Sequence, residues 1–104
     1  MREINLVKKY PIEWNKIRNM LEELNIYHYF AEQKQKNDLI LMYNQYGEVI
    51  FYYVGLEILK EQLEMKMIKN PCGYIRTTIE NFLKQKRVEE YVEEKEQKSK
   101  LEEA

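Results

Sequence analysis

Apolar residues near the start of the chain recur at the spacing of an α-helix. Three or four residues separate each from the next, which places them on one side of a helix. They are Trp14, Ile17, Leu21 and Leu24. Pro11 is well suited to the first helical position, and Asn25 is a residue type that often follows a helix end. The pattern therefore predicts an amphipathic helix over residues 11–25.

The pattern then changes to short segments rich in β-branched and aromatic residues, which is typical of strands. These segments are 26–30, 39–43 and 49–54. The polar stretch 33–38 would join the first two, and residues 44–47 would join the last two. Gly47 can supply the positive φ that a short hairpin needs. We therefore predict a three-stranded antiparallel meander.

Helical spacing returns at Leu56 and predicts a helix to about Ile68. Asn70 is a good N-cap and Pro71 a good first helical residue, so a further helix should begin at once. The two apolar stripes consist of Leu56, Leu59, Leu63 and Met67, and then of Ile75, Ile79, Phe82 and Leu83.

These elements predict an α+β fold, a small antiparallel β-meander or hairpin with three helices, arranged like a winged helix. Residues 1–88 form the single predicted domain, and residues 89–104 a helical, acidic C-terminal tail. The first region carries 14 Lys or Arg and 11 Asp or Glu, a net charge of +3. The tail carries 3 Lys and 7 Glu, a net charge of −4. The mildly basic body is compatible with a nucleic-acid partner.

Composition points to the cytoplasm and away from membranes. The longest apolar run, residues 49–54, is far too short to span a bilayer. A lone Cys72 excludes an internal disulfide, which fits a reducing compartment. The abundance of Lys, Ile, Asn and Tyr is typical of AT-rich coding DNA, so we expect a low-GC bacterium or one of its mobile elements.

Known catalytic and metal-binding patterns are largely missing, so we expect neither an enzyme nor a cofactor. The chain has single copies of His28, Asp38, Cys72 and Ser99, too few for a plausible triad or a structural zinc site. A Cys72–His28 pair is the remaining catalytic alternative, because a thiol in a first helical turn can have a lowered pKa. A packing role for Cys72 is favoured.

The most informative segment is the predicted helical pair over 56–87. A rotation of 100° per residue places six residues of the second helix opposite its apolar stripe: Arg76, Thr77, Glu80, Asn81, Lys84 and Arg87. Arg and Asn side chains pair with guanine and adenine edges, and Lys contacts phosphates. Free backbone N–H groups at Asn70–Gly73 would suit a phosphate. The alternative is a solvated face of an ordinary helical hairpin.

A second candidate DNA contact is the predicted loop 33–38. If it joins two strands, Lys34 and Lys36 lie at the tip of a β-hairpin, where a wing contacts phosphates or a minor groove. The alternative is an ordinary polar hairpin tip.

The run Lys69–Phe82 resembles a recurrent N-P-x-G-Y-[IL]-x-x-x-[IL] segment of replication initiators and related DNA-binding proteins of Gram-positive plasmids and phages. Many of those proteins contain winged-helix domains. The resemblance implies that residues 76–87 read DNA. Here the predicted strands precede the helical pair, unlike the order in a standard winged helix, so the 33–38 hairpin is the rival contact.

We therefore expect a double-stranded-DNA-binding accessory protein of a mobile element. It would bind an origin of transfer or replication, or an operator, as a homodimer and recruit a relaxase or initiator. The alternative is a phage or plasmid protein-interaction module that inhibits a host nucleic-acid enzyme. The acidic tail and the Tyr-rich predicted strands motivate that alternative.

Overall fold

Helix-capping residues divide the chain into a series of helices, which a computed structural model describes over residues 4–86. Six segments of this range are α-helical: α1 (Leu6–Lys9), α2 (Pro11–Glu23), α3 (Gln33–Tyr46), α4 (Glu48–Ile50), α5 (Glu57–Met65) and α6 (71–86). A 3₁₀-helix spans Tyr27–Phe30, and a π-helical segment, Phe51–Leu56, joins α4 to α5. The predicted acidic tail, 89–104, and Arg87 lie outside the described residues.

The predicted α+β fold is wrong, because residues 4–86 contain helices and no strand. The winged-helix arrangement is therefore wrong as well. Residues 26–30 mostly form the 3₁₀-helix, 39–43 lie inside α3, and 49–54 run from α4 into the π-helical segment. A short apolar run is compatible with a buried helix as well as with a strand. In this protein the runs are helical and pack against several neighbouring helices.

Burial along α3 shows the helical period. A strand over 39–43 would bury alternate residues, but Leu39, Ile40 and Met42 are buried while Leu41 is half exposed. The helix packs against α1, α2 and the π-helical segment, so a wide apolar side is needed.

The polar stretch 33–38 forms the first turns of α3, which are stabilised by a capping box. The Glu32 backbone N–H donates to the Gln35 side chain at 3.1 Å, and the Glu32 side chain accepts from the Gln35 backbone N–H.

The predicted first helix is confirmed as α2, and Asn25 ends it as expected. Asn25 has a left-handed φ of 59°, and its N–H donates to the Glu22 carbonyl at 3.0 Å. The Ile26 N–H donates to the Leu21 carbonyl at 2.9 Å, which completes a Schellman motif. Both Leu21 and Ile26 are buried, so the motif also closes an apolar contact across the helix end.

The core lies between α2, α3, the π-helical segment, α5 and α6. Its fully buried side chains include Ile17, Phe30, Phe51, Leu56, Leu59, Ile75 and Ile79. Two residues of the predicted apolar stripes differ, because Met67 is 89% exposed and Phe82 is 41% exposed. Helix α5 ends at Met65 rather than near Ile68, which leaves Met67 outside the helix.

Gly55 lets α6 approach the π-helical segment closely. A Cβ atom at this position would lie 2.9 Å from Ile75 Cγ2 and 3.2 Å from Ile79 Cδ1. Contacts that short require the neighbours to move, so the missing side chain sets the distance between the two helices. Burying Ile75 and Ile79 there contributes about 1.5–3 kcal/mol for each side chain.

Asn37 ties the N-terminal segment to the middle of α3. Its Oδ1 accepts from the Leu6 N–H and from Gln33 Nε2, each at 3.0 Å. Its Nδ2 donates to the Ile4 carbonyl at 2.6 Å. One amide group therefore satisfies two backbone groups that precede or begin α1.

Gly47 has a positive φ, as the sequence predicts, but it separates two helices rather than two strands. Its φ of 90° and ψ of 161° lie in a region that only glycine adopts readily, and no atom of residues 4–86 would contact an added Cβ. We expect Gly47→Ala to lower the free energy of unfolding by about 1–3 kcal/mol through backbone strain alone. Urea denaturation measures this change.

The exposed neighbour Glu48 provides the control for that experiment. Glu48→Ala should change the free energy of unfolding by less than about 0.5 kcal/mol. Equal stability of Gly47→Ala and the wild type would contradict the strained geometry at this position.

Candidate nucleic-acid-binding surface

Helix α6 begins at the predicted cap. Asn70 Oδ1 accepts from the Gly73 N–H at 3.1 Å, and the Asn70 carbonyl accepts from the Tyr74 N–H at 3.0 Å. A Cβ on Gly73 would lie 2.6 Å from Asn70 Nδ2, so a side chain there would displace the Asn70 amide from its present capping position. This gives Gly73 a structural role that does not depend on a phosphate.

Three of the predicted DNA-binding residues, Asn70, Gly73 and Arg76, line one depression of about 220 Å³ at the start of α6. Asp38, Met42 and Cys72 complete its lining. The carboxylate of Asp38 would repel an anion at this position, so this depression does not have the purely cationic lining of a phosphate site.

Arg76 and Glu80 belong to the side of α6 that faces α3. The Tyr46 hydroxyl donates to Glu80 Oε1 at 3.3 Å. Partial burial and the negative charge of Glu80 raise the pKa of Tyr46, while the nearby Arg76 acts in the opposite direction. Arg76 is half-buried here, so the predicted DNA-reading face does not project as one uniform surface.

The remaining predicted residues of α6 face outward. Thr77, Asn81 and Lys84 are exposed and stand four and three residues apart, so they lie on one side of the helix. Tyr74, three residues before Thr77, extends the same side towards the start of α6. We call Tyr74, Thr77, Asn81 and Lys84 the outer stripe.

Lys34 and Lys36 do not form a hairpin tip, because both lie in α3. Residues two apart on a helix differ by about 200° in direction, so these side chains leave α3 on nearly opposite sides. The Lys36 ammonium lies 5.7 Å from the Trp14 ring centroid and 6.0 Å from that of Tyr27. The prediction of a paired basic tip is therefore wrong, and packing on aromatic rings accounts for Lys36.

Sequence reasoning missed two lysines in the segment between α5 and α6, residues 66–70, which we call the basic turn. Lys66 and Lys69 are both exposed, and the Lys66 ammonium lies 5.4 Å from the Tyr74 ring centroid. That contact brings the basic turn to the side of α6 that carries the outer stripe. Two lysines within the four residues before a strong N-cap are the signal that identifies this feature in the sequence.

Cys72 is a packing residue in the structure. Its Sγ contacts the Gln35 carbonyl at 3.5 Å, and only 6% of the residue is exposed. Burial, with a contribution from Asp38, raises the pKa of the Cys72 thiol to about 12. A catalytic Cys72–His28 pair would require a lowered pKa of the Cys72 thiol. The raised pKa contradicts that alternative.

Residues 4–86 provide neither a membrane-spanning helix nor a cluster of metal ligands. No helix there is long and apolar enough to cross a membrane. No group of three or more His, Cys, Asp or Glu side chains in that range is arranged to hold a metal ion.

Comparisons with protein-family models, curated proteins and solved structures found no match. The resemblance of Lys69–Phe82 to initiator-type DNA-binding proteins therefore stays a prediction.

We expect the Cys72 thiol to react slowly in the folded protein. With a pKa of about 12, about one thiol in ten thousand is ionised at pH 8. A disulfide reagent should therefore label native protein at least about a hundredfold more slowly than protein unfolded in urea. Since Cys72 is the chain's single cysteine, the label reports on this site alone. Equal rates in the two states would contradict the buried, protonated thiol.

Proposed function

We propose that this protein binds double-stranded DNA through the outer stripe of α6 and the basic turn that precedes it. The contact between Lys66 and Tyr74 carries the proposal, because it brings a lysine of the turn to the side of α6 that presents Thr77 and Asn81. The arrangement is a helix, a short turn and a second helix whose outer side is polar and basic.

The exposed groups of this surface match the chemistry of DNA. Lys66, Lys69 and Lys84 can contact phosphates, which position a protein on the duplex. Asn81 can bond to an adenine edge and Thr77 to several bases in the major groove. Arg76 is half-buried between Asp38 and the Tyr46–Glu80 pair, so we assign it a supporting role in the positive field.

The weak overall charge is consistent with an accessory role on a defined site. Residues 4–86 carry 12 Lys or Arg and 10 Asp or Glu, a net charge of +2. Binding should therefore depend on a few placed contacts, and a homodimer on repeated or palindromic sites would double them. We place this role in the cytoplasm of a bacterium, beside the relaxase or initiator of a mobile element.

A salt titration with charge variants tests the proposal. The wild type should bind duplexes of about 30 base pairs, with log affinity falling linearly with log salt. Lys66→Gln with Lys69→Gln should weaken binding and reduce the magnitude of the slope by about 1.8, since each lost phosphate contact removes about 0.9. Asn81→Ala should cost about 1–3 kcal/mol on a preferred sequence and much less on random DNA.

Lys8→Gln with Lys9→Gln is the matched control. This double change also removes two charges, and Lys9 lies 5.5 Å from the Tyr10 ring centroid in the same manner as Lys66 over Tyr74. The control should bind nearly as the wild type does. Undetectable duplex binding at low salt, or an equal loss in both double variants, would contradict the proposal.

A protein partner is the second candidate function, and an exposed apolar pair favours it. Val49 is 68% exposed and Tyr53 is 59% exposed, one helical turn apart. Such residues are typical of protein interfaces. The partner would be a host nucleic-acid enzyme, with the acidic residues 89–104 competing for its basic site.

Affinity capture with matched variants tests this second candidate. Val49→Ser with Tyr53→Ser, or deletion of 89–104, should abolish capture of a host nuclease or helicase loader while leaving the fold intact. Capture that is unchanged in both variants, or no such partner, would count against it.

A further inference from the structure

The basic turn exposes a large apolar side chain to solvent. Met67 is 89% exposed, the highest fraction among the large apolar side chains of residues 4–86. Helical spacing alone would place it on the buried stripe of α5. Lys66 instead has an extended backbone, with φ −154° and ψ 160°, which ends the helix and directs the chain out of that stripe.

Contacts on both sides of Met67 hold the turn in place. Lys66 lies over the Tyr74 ring, and Ile68 is half-buried against the core. Asn70 caps α6 through its bond to the Gly73 N–H. Met67 therefore lies in a turn whose two ends are attached to the rest of the protein.

The spacing of the two lysines suits the minor groove of DNA. Lys66 and Lys69 are three residues apart, so their Cα atoms are separated by at most about 11 Å. The minor groove is about 6 Å wide, and long lysine side chains can reach phosphates on both of its sides. Met67 lies between these two lysines in the sequence and would face the groove itself.

We propose that Met67 is a wedge that inserts between base pairs from the minor groove and bends the bound DNA. This inference rests on the proposed function. An apolar side chain that partly unstacks a base step kinks the duplex, and the bend lets more of the protein contact the DNA. Flexible pyrimidine–purine steps would be the preferred targets, because they unstack most easily.

Energy transfer between dyes at the two ends of a duplex of about 30 base pairs tests the wedge. One duplex contains a central TA step, and a second has an A-tract at its centre. The wild type should shorten the end-to-end distance of the first duplex more than that of the second. Met67→Ala should abolish this difference and weaken binding to the TA duplex about tenfold, while Met67→Leu should retain both effects.

Met65→Ala is the matched control, because Met65 is also exposed, at 75%, but is the last residue of α5. It should bend and bind as the wild type does, and all variants should keep the wild-type melting temperature. If the wild type binds DNA but Met67→Ala bends it equally, the wedge is wrong and the proposed function stands. If the wild type binds neither duplex at low salt, both are wrong.

Discussion

The close contact between α6 and the π-helical segment is the constraint on which the candidate surface depends. Gly55 leaves room for Ile75 and Ile79, whose side chains occupy the space that a Cβ would take. Once these two residues face inward, the helical period directs Thr77 and Asn81 outward. The orientation of the outer stripe is therefore a consequence of a missing side chain on another helix.

Local capping chemistry could be predicted from the sequence, whereas the choice between strand and helix could not. Asn25 and Asn70 act over a few residues, and both have the predicted roles. Segments 39–43 and 49–54 contain strand-forming residues, but their structure is decided by packing partners distant in the chain. The sequence does contain a longer helical pattern across the predicted end of the strand. Phe51, Gly55 and Leu59 recur every four residues there and are all buried.

The candidate site could be predicted only where it depends on a helix that was itself predicted. Thr77, Asn81 and Lys84 lie on the outside of α6 as expected, because its apolar stripe was identified correctly at Ile75 and Ile79. The prediction that Lys34 and Lys36 form one basic tip depended on a hairpin. In a helix, the same two-residue spacing directs their side chains to nearly opposite sides. The surroundings of Arg76 could be predicted only with the position of α3 known, since Asp38 and Tyr46 come close to it only in the folded chain.

The amide of Asn37 makes the N-terminal attachment sensitive to chemical ageing. Its nitrogen donates to the Ile4 carbonyl, and its oxygen accepts from the Leu6 N–H. Hydrolysis of this amide to a carboxylate would remove the donor and place a negatively charged oxygen against the Ile4 carbonyl. A single deamidation event would therefore break the bond to Ile4 while the bond from the Leu6 N–H remains, and it would loosen the start of the described chain without altering the core.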